Sequence, residues 1–129
     1  MIAAVGTVAG VFLVDVEEEA LLGEGNEVPA AERPEVPLPR VVAAARAGAT
    51  VIAVVEHRPP LLLSSDGGAT WREAGGGLPP GFAVAIAEDE PDRMLYAARN
   101  RLYVSANGGV FWLSLPFELP DIESVAWID

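Results

Sequence analysis

The segment Ser64-Ser65-Asp66-Gly67-Gly68-Ala69-Thr70-Trp71 returns as Ser105-Ala106-Asn107-Gly108-Gly109-Val110-Phe111-Trp112, every position moved by 41 residues. An internal repeat of this period constrains a chain more than its composition does. A unit of about 40 residues cannot bury its apolar face alone and must stack against further copies. Between the copies lie short apolar runs punctuated by glycine and proline, the pattern of strands and tight turns.

Four strands are predicted in each unit. In the second they fall at Val41 to Ala47, Thr50 to Glu56, Leu61 to Ser64 and Thr70 to Ala74. In the third they fall at Phe82 to Glu88, Arg93 to Ala98, Arg101 to Ser105 and Phe111 to Leu115. Runs this apolar suit strands covered on both faces. Four short antiparallel strands repeating near 40 residues define the blade of a β-propeller, so an all-β propeller fold is expected. Ile122 to Ile128 sits where Phe82 and Val41 sit, at spacings of 40 and 41 residues, and reads as the first strand of another blade. Met1 to Val5, Gly10 to Val16 and Ala20 to Gly23 read as the second, third and fourth strands of a blade that lacks its first. One half-propeller domain of three blades is therefore expected over residues 1–129. It comprises a partial first blade at 1–23, a loop at 24–40, blades at 41–81 and 82–121, and a closing strand at 122–129.

Propellers use roughly four to eight blades. Three blades alone would leave two apolar faces in water. A homodimer forming a six-bladed ring is expected, with residues 122–128 of each copy completing the partner's first blade. Such a dimer would be obligate, its folding inseparable from association.

Composition narrows the partners. The 129 residues are 51% hydrophobic, enough for a sizeable core, and carry eight arginines and no lysine against nineteen carboxylates, a net charge of −11. This balance argues against nucleic acid or an anionic membrane, since both require a clustered basic surface. The absence of cysteine excludes disulfides, thiolate metal sites and a cysteine nucleophile. The uncharged stretch from Ile2 to Val14 has no preceding Lys or Arg and is too short to span a bilayer; two buried strands joined by a Gly6 to Gly10 turn are expected there, in a cytoplasmic protein.

The run Ser64-x-Asp66-x-Gly68-x-Thr70-Trp71 resembles the Asp-box, or BNR, repeat of sialidases, sortilin-type receptors and photosystem assembly factors. The second copy keeps Ser105, Gly109 and Trp112 but has Asn107 for the aspartate and Phe111 for the threonine. The first blade offers only Asp15 and an acidic run in its place. The physical role of the motif is structural. Two glycines supply positive φ, the Ser, Asp and Thr side chains bond nearby backbone groups, and the tryptophan packs over the turn. A calcium loop is excluded because alternating acidic ligands are missing.

Resemblance to sialidases implies an arginine triad, a tyrosine nucleophile paired with a glutamate, and an acid/base aspartate. Only Tyr96 and Tyr103 are available, and both sit inside apolar strands. His57 is the one histidine, and no Gly-x-Ser-x-Gly elbow presents a nucleophile. Gly75-Gly76-Gly77 has no lysine to follow it and is no phosphate loop. The acidic runs Glu17-Glu18-Glu19 and Glu88-Asp89-Glu90-Pro91-Asp92 are explained by solvated turns, while a glycosidase would need two carboxyls facing across one cleft. No catalytic residue, metal or cofactor is assigned.

First strands line a propeller's channel. Arg46 belongs there, at the position expected to be Ala87 in the next blade and Trp127 in the last strand. These side chains either bind an anionic or sugar-like ligand by charge and stacking, or Arg46 pairs with a local acid and Trp127 plugs the channel. His57, Arg58, Arg99 and Arg101 fall on turns between second and third strands, as a partner surface or a solubilising one. The expected function is a non-catalytic binding or scaffold propeller that contacts another protein. The alternatives are a sialidase-like glycan hydrolase and a half-propeller with a purely structural role in a larger assembly.

Overall fold

The computed structural model describes residues 1–30 and 33–128; Ala31 and Glu32 of the expected loop and Asp129 of the expected closing strand lie outside the described residues. The described residues form twelve strands and no helix. They are β1 (Ile2–Thr7), β2 (Gly10–Asp15), β3 (Ala20–Glu24), β4 (Val41–Ala47), β5 (Thr50–Val55), β6 (Leu61–Ser64), β7 (Arg72–Ala74), β8 (Ala83–Ile86), β9 (Met94–Ala98), β10 (Arg101–Ser105), β11 (Leu113–Ser114) and β12 (Ile122–Trp127). They pair into three four-stranded antiparallel sheets, β12-β1-β2-β3, β4-β5-β6-β7 and β8-β9-β10-β11, the architecture of three propeller blades.

Strand alternation explains the packing, because successive side chains leave the sheet on opposite faces. On β9, Leu95 and Ala97 join Ala3, Val5, Val14, Leu102 and Val125 in one core. Met94, Tyr96 and Ala98 join Ile52, Val54, Leu61 and Leu63 in the other. The blade of β8–β11 is thus sandwiched between the other two, so the order in space differs from the order in sequence. Full burial of each Leu, Ile or Val contributes about 1.5–3 kcal/mol.

The closing strand differs from expectation. β12 pairs with β1 of the same chain, Ala4 opposite Ala126 and Val5 opposite Val125, so the first blade is completed in cis where a partner's strand was expected. The connecting segment makes this reach possible. It leaves β3 across the face of its own blade that points away from β9, where Gly25 donates to Val11 O at 2.8 Å and a Cβ on Gly6 would lie 3.0 Å from Val28. It arrives at β4, where Arg33 Nη2 donates to Val41 O at 3.2 Å. The two end faces are not bare: Ala4 on one and Val51 and Ala53 on the other are buried.

Other differences have local causes. The fourth strands begin two residues later than expected, at Arg72 and Leu113, because the preceding residues are tied into side-chain-bonded turns. The turn expected from Gly6 to Gly10 shrinks to Val8 and Ala9, since Gly6 pairs with Val11 and Ser124 inside the sheet. The channel position also shifts. Val51 and Met94 pair with the equivalent serines Ser64 and Ser105, and their partners on the first strands are Arg46 and Ile86. Ile86, not Ala87, is the counterpart of Arg46, because the connection that follows it in the third blade is longer.

Candidate functional site: an inner cleft and an outer groove

The glycine turns explain themselves in local chemistry. Ser64 Oγ accepts the Gly68 N–H at 2.8 Å and donates to Asp66 Oδ1 at 2.7 Å. Asp66 in turn accepts the Thr70 N–H at 2.9 Å and the Thr70 hydroxyl at 2.6 Å, and Trp71 Nε1 donates to Gly68 O at 3.0 Å. Gly67 and Gly68 take φ of 73° and 99°, which a side chain would strain. The Thr70 hydroxyl, then its N–H, then the Ser64 hydroxyl hold the Asp66 carboxyl down at about 2. In the other copy Asn107 Oδ1 accepts from the Ser105 hydroxyl at 3.0 Å and the Phe111 N–H at 2.9 Å, and Trp112 Nε1 donates to Gly109 O at 3.0 Å. The turn survives the substitution; the bond lost is the threonine hydroxyl's, which leaves position 111 free to be apolar.

The first strands enclose an open cleft of about 1010 Å³, walled by β4, β8, β12 and Pro29, Ala30, Pro34 and Glu35 of the connecting segment. Arg46, Ala87 and Trp127 all line it, together with Ile86. Arg46 lies on the β4 face away from β8 and is held by Nε donating to Gly48 O at 2.9 Å; among the described residues it makes no ion pair. It is the only cationic side chain among the described lining residues, against Glu35, Glu88 and Asp89, so the cleft is not an electropositive pocket. Trp127 packs against the core shared with β9, and its Nε1 is buried without a hydrogen-bond partner among the described residues.

The remaining cations stand apart. His57 and Arg58 are exposed on the β5–β6 turn. Arg99 faces Asp121 at 3.5 Å. Arg101 reaches Glu118 at 3.2 Å and donates to Leu115 O at 3.5 Å, which ties β10 to the segment after β11. Tyr96 is fully buried and donates its hydroxyl to Pro79 O at 2.6 Å; burial first, and Tyr103 second, push its hydroxyl up to about 12. It cannot act as an exposed nucleophile.

A second concavity escaped the sequence reading. A groove of about 390 Å³ runs between the Asn107 turn and the end of β2, lined by Val16, Val104, Phe111, Trp112, Leu113 and Trp127 with Arg93 at its wall. Beside it Val110, Phe111 and Leu113 are 64%, 77% and 57% exposed. The signal was present in the repeat: the equivalent residues of the other copy are Ala69, Thr70 and Arg72.

No protein-family model and no curated protein matches the chain. Among solved structures it is similar to a GH74 enzyme of Niastella koreensis, with a TM-score of 0.50 and 22% identity, covering 92% of this chain and 18% of that one. The likeness is one of fold, to a β-propeller protein of which this chain spans less than a fifth. The class defined by fold and comparison is the β-propeller, here as three blades.

Proposed function

We propose that this chain is a non-catalytic, protein-binding propeller unit built on Asp-box hairpins. The observation behind this reading is the apolar rim of Val110, Phe111 and Leu113, exposed on one hairpin at positions where the other hairpin carries Ala69, Thr70 and Arg72. The fold accepts polar residues there, so folding does not require the apolar ones, and exposed apolar patches mark interaction surfaces. A selection from a displayed random-peptide library against the wild-type protein and a Phe111→Thr/Leu113→Thr variant tests it. Peptides retained only by wild type are expected; a library that yields none overturns the reading.

A second reading has one observation in its favour. Glu35, Glu88 and Asp89 border a single cleft, and glycan hydrolysis needs two carboxyls across a cleft. Turnover of aryl glycosides that is lost in Glu35→Gln or Glu88→Gln would establish it in place of the binding reading.

We also propose that two copies assemble into a six-bladed ring. Support comes from the blade number and the cleft, which first strands wall on one side only. Cis closure leaves the order of blades around that ring unchanged. The connecting segment over the outer face of the first blade then becomes part of the interface.

A further inference from the structure

The protein-binding reading can be taken to the chemistry of the partner. We infer that the groove between the Asn107 hairpin and the turn after β2 docks a protein segment whose apolar side chains are flanked by arginine or lysine.

The floor is apolar, made by Val16, Val104, Trp112 and Trp127, with Phe111 and Leu113 as its open edge. The surroundings are acidic. Arg93, at the groove wall, pairs with Glu17 at 2.8 Å and with Glu90 at 3.4 Å, and so draws together two acidic runs that lie about seventy residues apart in sequence. The Gly108 N–H donates to Asp92 O at 3.0 Å, which sets the end of the second run against the hairpin itself. Arg93 and the Met1 ammonium, which also pairs with Glu17, balance only part of this charge. Glu18, Glu19 and Asp92 are exposed and, among the described residues, pair with no cation.

An apolar slot between unneutralised carboxylates selects by sign. Complementary potentials raise the encounter rate and juxtaposed like charges oppose docking. Acidic segments and anionic lipid are therefore disfavoured in this groove. A segment with aliphatic or aromatic residues between basic ones satisfies both the floor and the border.

The test uses three fluorescent peptides of one apolar core, flanked by arginine, by serine or by glutamate, titrated by anisotropy into the full chain. The proteins are wild type, Phe111→Thr/Leu113→Thr, and Glu18→Gln/Glu19→Gln/Asp92→Asn; every change is at an exposed position, and thermal melts confirm folding. The arginine peptide is expected to bind wild type tightest, at least tenfold more weakly to the Phe111/Leu113 variant and severalfold more weakly to the charge variant or in high salt. Failure of the arginine peptide to bind, or binding unaffected by Phe111→Thr/Leu113→Thr, overturns the assignment of groove and partner. Equal binding of all three peptides, still lost with Phe111, overturns the charge selection while leaving protein binding in place. A library without Phe111-dependent binders removes both.

Discussion

Asp66 and Asn107 occupy the same corner of two hairpins and differ in one property, a titratable charge. With its folded value near 2 against an ordinary 3.8, the Asp66 carboxyl releases its proton more readily in the folded chain than in the unfolded one. Its stabilisation is complete above pH 4 and is lost as pH falls from there through 2. Thermal melts of Asp66→Asn are expected to show a flatter pH dependence than wild type across that window, with Thr70→Val flattened in the same direction. Tyr96 makes the complementary point inside the core. Tyr96→Phe leaves Pro79 O without its donor, an expected loss of about 1–3 kcal/mol in urea denaturation. Gly81→Ala should cost at least as much, because the new methyl would press into the Tyr96 ring and lie 2.6 Å from Ala97 O; overpacking of this kind costs about 1–3 kcal/mol.

At the level of the element, the hairpins were legible and the seam was not. Ser64, Asp66, Gly68 and Trp71 act on atoms within a few residues of themselves, so their spacing in sequence is their spacing in space. The apolar runs of β5 and β9 identified themselves in the same way, since a central strand covered on both faces has no polar side. The pairing of β12 with β1 is different, because nothing in Ile122–Trp127 distinguishes the β1 of its own chain from that of a copy. The groove was hidden for a related reason: Val16 and Phe111, which line it together, belong to blades far apart in sequence. The seam can be tested directly. Val125→Asp buries a carboxylate opposite Val5 and is expected to abolish cooperative melting, whereas Glu123→Gln, on an exposed position of the same strand, should leave it within about 0.5 kcal/mol of wild type.

For the whole molecule, the question is how an arc of blades ends. The inner cleft is open, and Pro29, Ala30, Pro34 and Glu35 of the connecting segment border it. Light scattering over a dilution series is expected to give twice 13.5 kDa, with a melting temperature that rises with concentration. A concentration-independent 13.5 kDa particle would instead mean that the connecting segment alone suffices to shield the end faces.

The seam between β1 and β12 also sets a timetable. During synthesis β1, β2 and β3 leave the ribosome roughly a hundred residues or more ahead of the strand that completes their sheet. The other two blades assemble from neighbouring strands as they emerge, but the first blade must wait with an unpaired edge. The earliest strands to appear are thus among the last to be locked, and that interval is when the nascent chain is most exposed to pairing with the wrong edge.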